Sequence, residues 1–443
     1  MSNINEFVRL KIVYPLAEKV KGTNSMVWYK RIQEMNTWSR EEIKAWQEAQ
    51  LQRVVKQAYE HTVYWKRVFD ERGLKPSDIR TAEDLKKLPI LTKKDIIAHY
   101  EEIVPDNVSQ FRHRVERTGG TTGEPMQYLV DEDIWGYVTA DKIVAWRATG
   151  YRFGDAFMAL GSASLFQQKA PLARRILDGI RNERAYNSLN MDGELCRKYI
   201  EILEKQKIHY VYGYASSIYL LAKYVLDHKI DMSHMRGAFT TSENLTDVYR
   251  ETIEKAFGCR VMDCYGCRDA AITAYEVTPG NHHVGYSAIL ELVDEFEPGK
   301  GTLLSTNLLS MAFPLLRYDY GDCGELDNDC PAYNGQVVHR IYGRTSDVLR
   351  LDNGHVLTSP GFTILMRDFA VKAYDIQKLS GSSVRMQVHV AEGWNKTQER
   401  KLIDEMQRFV GEGCAFALEY VDGFQELKNG KRRYFMNDLS KRE

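Results

Sequence analysis

The stretch Glu116–Asp131, ERTGGTTGEPMQYLVD, crowds glycine and threonine into Thr118–Gly123 between two ordinary segments. Glycines let a backbone fold around an anion, and threonine hydroxyls and amides can donate to it. A Walker loop would need G-x-x-x-x-G-K-[ST]. Here Glu124 and Pro125 follow Gly123, so no such lysine is present. Either the loop grips phosphate through amides and hydroxyls, or it is a Gly-rich hairpin turn. Alone, the turn is the simpler reading.

Outward from this loop, the chain divides by pattern. Residues 1–105 read as mainly helical: Ser39 is an N-cap followed by acids, and Leu51, Val54, Val55 and Ala58 recur at helical spacing. Over 106–283 strands and helices alternate. AFMALG, HYVYGY, GAFTTSE and RVMDCYG read as strands, and CRKYIEILEKQKI, IYLLAKYVLDHK and VYRETIEKAFG as helices. That rhythm predicts an α/β domain with a largely parallel sheet and ligands at the loops after strand ends. Shorter strands over 284–342 suit an antiparallel subdomain, and 343–443 carry their own helix and strands, a small α+β domain.

Composition excludes several classes. At 443 residues, 44% hydrophobic and 27% charged, the chain is an ordinary globular protein. A formal charge of −1 gives no case for a nucleic-acid partner. No apolar run is long enough for a membrane span or signal peptide. Seven dispersed cysteines point to a reducing, cytoplasmic setting. Cys259, Cys264 and Cys267 lack a clear fourth ligand nearby and read as packed thiols rather than zinc ligands.

Further short segments could carry chemistry, each with a plainer alternative. In DCYGCRDAA, Tyr265 could stack on a base and Asp269 could meet magnesium, or the segment is a strand-to-helix turn. In PLLRYDYGDCGEL, Asp322 could take the two hydroxyls of a ribose. Arg344 and Asp347, in YGRTSDVL, sit at the inferred domain boundary as a hinge or a salt-bridged linker. Lys431, in ELKNGKRRYF, is a functional lysine or part of a charged tail.

In order and spacing, these segments together resemble the adenylate-forming superfamily of acyl-CoA synthetases, adenylation domains and luciferases. The likeness runs closest to its phenylacetate–CoA ligase branch and to relatives linked with capsular polysaccharide. It covers essentially the whole chain. The resemblance implies an α/β large domain at 1–342 (helical N-terminus, mixed sheets with flanking helices, antiparallel subdomain) and a small mobile α+β lid at 343–443. It implies activation of a carboxylic acid by ATP and magnesium to an acyl-adenylate, then acyl transfer to coenzyme A. An amine acceptor and a non-catalytic nucleotide-binding homologue stay open as alternatives, as does a homodimer.

By the same resemblance, Thr118, Gly119, Gly120, Thr121, Thr122 and Gly123 grip the β- and γ-phosphates. Ser242 and Glu243, in TTSEN, line the adenine. Asp263, Tyr265, Gly266 and Arg268 belong to the nucleotide segment YGCRD and its approach, with Asp269 as the magnesium-linked acid. Asp322 is the expected ribose ligand, Arg344 a ribose or phosphate contact, and Lys431 the catalytic lysine at the acyl carboxylate and α-phosphate. Phe166, Tyr212, Tyr214 and Ser216 are candidates for an acyl pocket suited to an aromatic acid, with core packing as the alternative. The pattern departs from the family at Arg268 (commonly Thr), Asp269 (Glu) and Ser346 (an acidic hinge residue). His283 and Cys330 stand where some relatives hold zinc, but the accompanying cysteines are missing, which points away from zinc.

Overall fold

The computed structural model describes residues 8, 12–21, 23–118, 126–161, 179, 182–188, 191–243, 245, 247–344, 348–352, 356–358, 366, 369–379, 383–391, 393–411, 413–422 and 435–438. The chain forms two compact units. One comprises 1–292, 303–320 and 326–340; the other comprises 293–302, 321–325 and 341–443.

The first unit begins with helices α1 (Tyr14–Lys21), α2 (Ser25–Met35), α3 (Arg40–His61) and α4 (Val63–Glu71). Glu18 accepts the amides of Ser25 and Met26 at 2.5 and 2.9 Å, which anchors the start of α2. Ser39 caps α3 in a reciprocal capping box with Glu42, and Leu51, Val54, Val55 and Ala58 form its buried stripe. On α4, the Trp65 indole donates to the Pro314 carbonyl at 2.8 Å. Strand β1 (Leu91–Thr92) leads into α5 (Lys93–Ala98) and α6 (Tyr100–Ile103). A separate hairpin follows, β2 (His113–Arg117) with β3 (Gln127–Asp131), and then α7 (Glu132–Trp146).

One end of the main sheet is built from β4 (Phe157–Gly161), β5 (Glu183–Asn187), β6 (Tyr210–Tyr214), β7 (Gly237–Thr241) and β8 (Val261–Cys267). These run parallel in the order β5-β4-β6-β7-β8. Helices α8 (Gly193–Lys205), α9 (Ala215–Asp227) and α10 (Asp247–Phe257) connect them. Side chains alternate between two cores, as a sheet buried on both faces requires. Met158, Leu160, Val211, Ala238 and Val261 meet α8, α9 and α10 on one face. Phe157, Ala159, Tyr210, Phe239 and Met262 meet Trp146 and Tyr151 on the other. There Trp146 stacks on Phe239 at 4.0 Å and 6°.

Strands β9 (Ile272–Thr278) and β10 (Asn281–Val284) extend this sheet in antiparallel sense. Beyond them come β11 (Ala288–Glu297), β12 (Lys300–Asn307), β13 (Tyr318–Asp327) and β14 (Val337–Arg344), in the order β11-β12-β13-β14-β10. A buried Arg317–Glu291 pair at 3.0 Å, with Arg317 also donating to the Leu88 carbonyl at 2.6 Å, joins β11 to the approach to β13 and to the helical N-terminal part. Besides β15 (Val348–Arg350) paired with β16 (Val356–Thr358), the second unit holds a four-stranded sheet, β19-β18-β17-β20. It consists of β17 (Val371–Leu379), β18 (Ser383–Val390), β19 (Ala415–Tyr420) and β20 (Phe435–Asp438). Helix α11 (Lys396–Val410) buries Leu402, Met406 and Val410 against Ile376, Val384 and Met386.

The predicted helical N-terminal part, parallel α/β core, antiparallel continuation and small α+β sheet are all present. No disulfide joins any of the seven cysteines. Among the described residues, no helix is long and apolar enough to cross a membrane.

Gly213 on β6 pairs with Leu160 on β4, and a Cβ at Gly213 would collide with the Leu160 carbonyl. A backbone carbonyl within a buried parallel pair cannot swing aside. Gly213→Ala is therefore expected to cost at least about 2 kcal/mol in urea unfolding; a variant as stable as the parent would contradict this packing.

Candidate active site

The parallel strands deliver their carboxyl ends to one edge. Register sets Tyr214 beside Thr241, and Thr241 beside Cys264. Ser216, Ser242–Glu243 and Tyr265 therefore follow from adjacent strand ends, the usual place for ligands in an open α/β sheet. Ser242 takes a left-handed conformation, φ 65°, which turns the chain sharply after β7. Glu243 then accepts the Ser216 amide at 2.9 Å, placing an anion at the start of α9.

At the end of β8 the chain turns through Arg268–Ala271, with Ala271 at φ 50°. The turn presents Asp269, whose carboxylate accepts the Tyr318 hydroxyl at 2.8 Å and the Cys267 thiol at 3.1 Å. Tyr128 lies nearby; burial, with the Asp269 charge adding to it, pushes its phenol well above the usual range. Tyr265 bonds to the Tyr320 hydroxyl at 3.3 Å. Tyr318 and Tyr320 sit two residues apart and so share a face of β13. A carboxylate has about four acceptor sites, and among the described residues protein donors take two at Asp269. The remaining lone pairs fit a magnesium ion that also carries phosphate and water ligands.

The hairpin comes to this same turn. Its ladder runs from His113 opposite Asp131 to Arg117 opposite Gln127. Thr118 closes the tip twice: its amide donates to the Met126 carbonyl at 2.9 Å, and its hydroxyl accepts the Met126 amide at 2.9 Å. Gly119, Gly120, Thr121, Thr122 and Gly123 lie outside the described residues. Glu116, two positions before Thr118, pairs with Arg268 at 3.8 Å. Arg268 is more than half exposed, and its guanidinium sits 6.0 Å from the Trp135 ring. Such an exposed pair is weak and easily exchanged for an anionic ligand.

The chain is 25% identical over 368 residues to protein CapK of Staphylococcus aureus, covering 81% of each chain. It is 26% identical over 334 residues to the phenylacetate–coenzyme A ligase of Thermus thermophilus, covering 71% of this chain and 73% of the relative. Its fold matches a crystal structure of 2-hydroxyisobutyryl-CoA ligase in the postadenylation state, with TM-score 0.67, 18% identity and 91% of each chain covered. No protein-family model matches the chain. In sequence the chain is similar to phenylacetate–coenzyme A ligases, and in fold to this acyl-CoA ligase.

Within this adenylate-forming fold, the remaining expected residues are placed as follows. Asp263 lies inside β8, not at its end. Its carboxylate accepts the Thr240 hydroxyl at 2.7 Å and meets the His282 imidazole at 3.1 Å. Tyr212 packs against Trp146 and Phe157, with centroids 5.2 and 6.5 Å away, and burial pushes its phenol upward. Tyr214 and Ser216 are half-buried at the strand end, and the Ser216 amide is already held by Glu243. Gly266 is exposed, with only the Ile272 carbonyl close to where a Cβ would sit. Asp322 is buried on β13, within the segment 321–325 that clusters with the second unit, and Arg344 closes β14. Phe166, Ser346, Asp347 and Lys431 lie outside the described residues. Cys264 and Cys267 are buried and Cys259 half-buried. His283 stacks on Tyr333, and the Cys330 carbonyl accepts from Arg40. Among the described residues, no group of three His, Cys, Asp or Glu is arranged to hold a metal.

Three participants escaped the motif reading: Tyr318, Glu116 and His282. Tyr318 lay within the quoted RYDYGD segment, where its position on the same strand face as Tyr320 was the available signal. His282 carried no signal, because its partner is reached only across the sheet. Burial lowers the His282 pKa, but the Asp263 hydrogen bond and charge outweigh it and leave the imidazole above its ordinary 6.5. A raised folded-state value means the pair stabilises fully below the ordinary histidine range, and that contribution is lost as pH rises through the folded value. His282→Gln should therefore cost more stability at pH 6 than at pH 9 in parallel urea titrations. Equal losses at the two pH values would contradict the charged pair.

Proposed function

We propose that this chain activates a carboxylic acid with ATP and then passes the acyl group to coenzyme A. The observation that carries the reading is the strand-end register, which collects Ser242, Glu243, Tyr265, Arg268 and Asp269 at one edge, with the Thr118 hairpin beside Arg268. Similarity to phenylacetate–coenzyme A ligases supports the choice of thiol acceptor and of an aromatic acid.

In the first step a carboxylate oxygen attacks the α-phosphorus, the bond to the β-phosphate bridging oxygen breaks, and pyrophosphate leaves. Magnesium, when bound, neutralises phosphate charge; Asp269 is the residue that would hold it. The loop at 119–123 secures the departing phosphates through amides and hydroxyls. Arg268 exchanges Glu116 for phosphate oxygens, while Asp322 and Arg344 hold the ribose. Lys431 meets the acyl carboxylate and the α-phosphate, so the work is positioning and charge stabilisation. In the second step the coenzyme A thiol attacks the acyl carbon, its proton passes to solvent, and AMP leaves. The small domain at 343–443 acts as the lid that brings Lys431 in and withdraws it between steps. The cysteine usage fits a reducing cytoplasmic setting.

Pyrophosphate exchange with a panel of aryl and alkyl carboxylates tests this directly. At least one acid should support exchange and yield an acyl-CoA when coenzyme A is added. Lys431→Ala should lower exchange about 100-fold or more while ATP binding by calorimetry stays nearly unchanged. If ATP binds but no acid supports exchange, the adenylation reading fails. A coenzyme A-independent amide product would move the acceptor to an amine.

A further inference from the structure

A cavity of about 360 Å³ opens in the first unit among Asp141, Tyr275, His283, Tyr286 and Tyr333, and none of its lining residues belongs to the adenylation motifs. Asp141 sits on α7. Its Oδ2 accepts the Thr273 hydroxyl at 2.6 Å, and its Oδ1 meets no donor among the described residues. Burial pushes this carboxyl up to about 7, with only the Thr273 bond opposing. Asp141 is half-buried and lines the cavity, where a guest can reach its carboxylate.

The walls supply no counter-charge. Among the described residues, no lysine, arginine or second carboxylate lines the cavity. Lys142, next along α7, places its ammonium over the Trp146 and Tyr212 rings at 5.1 and 5.3 Å. His283 is held neutral at pH 7, since burial and the neighbouring His282 bring it down to about 4. Two of the lining tyrosines have their hydroxyls engaged: Tyr333 donates to the Val284 carbonyl at 3.0 Å, and Tyr286 to Asn36 at 3.1 Å. What they offer is aromatic surface. Tyr286 stacks on Tyr333 at 5.3 Å and 16°, and His283 stacks on Tyr333 at 4.2 Å and 17°.

Two glycines keep this arrangement open. A Cβ at Gly285 would come within 2.5 Å of the Thr273 hydroxyl and 2.9 Å of the Asp141 carboxylate. One at Gly335 would come within 2.7 Å of the Tyr333 ring. The two elements of the cavity, a carboxylate and a set of aromatic rings, therefore each rest on a position where a side chain would displace them.

We propose that this cavity is a binding site for a small organic ammonium ion, with Asp141 as its counter-charge and the tyrosine rings as its walls. Electron-rich ring faces attract alkylammonium groups, and a carboxylate at the floor adds the charge that a neutral guest of the same shape cannot use. The volume suits a compact amine rather than a nucleotide or coenzyme A. An anionic guest would meet Asp141 and no cation. This inference does not rest on the adenylation reading.

The test is calorimetry of the full chain at pH 8 in sodium phosphate, with choline and with its neutral isostere 3,3-dimethylbutan-1-ol. Choline should bind about 30-fold more tightly than the alcohol, the ratio expected of a desolvated cation on aromatic rings. Asp141→Asn should weaken choline at least about 10-fold and leave the alcohol unchanged, because Thr273 can still donate to the amide oxygen. Ala332→Trp, at an exposed lining position, should block both guests while circular dichroism stays that of the parent. ATP–pyrophosphate exchange by Asp141→Asn, without choline, should match the parent. Equal binding of choline and the alcohol, binding of neither, or choline affinity untouched by Asp141→Asn would each overturn the proposal.

Discussion

The core of the first unit follows from burying both faces of four short parallel strands, β4, β6, β7 and β8. Because Met158 and Leu160 point one way and Phe157 and Ala159 the other, neither face of β4 can meet water. Strands β6, β7 and β8 repeat this split. A one-residue slip would exchange the two side-chain sets, sending Phe239 and Met262 to the face packed by α8, α9 and α10. Register is thereby fixed, and so is the line along which Tyr214, Thr241 and Cys264 stand side by side. The edge proposed as the active site is a by-product of apolar packing: the cores specify the register, and the register places the polar loops.

Polar restraints then refine what packing makes available. Glu243 ties the loop after β7 to the first turn of α9. Tyr318 reaches from β13 to Asp269, joining the antiparallel part of the sheet to the turn after β8. Thr118 locks the hairpin tip with two bonds to Met126. Each is worth only about 1 kcal/mol to folding. Their larger effect is on geometry, since a reacting centre that relies on positioning loses rate quickly when its groups drift.

What was legible in the sequence matches these two levels. The strands were readable because a doubly buried strand is a short apolar run bounded by turns, and AFMALG and RVMDCYG have that form. Ser39 and Glu42 announced α3, since a capping box is local chemistry three residues apart. The motif loops were readable as an ordered set. The pairings between them were not. Tyr318 with Asp269, Arg268 with Glu116 and His282 with Asp263 depend on which strands become neighbours, a fact that periodicity does not carry. Asp263 illustrates the converse: it stands in a motif segment, yet its carboxylate is held by Thr240 and His282 within the sheet. Asp141 had no motif at all. It was one of three acids on α7, and only the cavity around it makes it distinctive.

The way the chain is shared between the units bears on how this protein can be dissected. The backbone passes between them at 292/293, 302/303, 320/321, 325/326 and 340/341 before the second unit runs to the end. A fragment beginning at 341 would lack 293–302 and 321–325, and with the latter Asp322. Removing everything after 340 would leave β14 cut short. The units are thus not beads on a string. Swapping the smaller one for a relative's counterpart, or expressing it alone, would have to carry those two excursions along as spliced inserts.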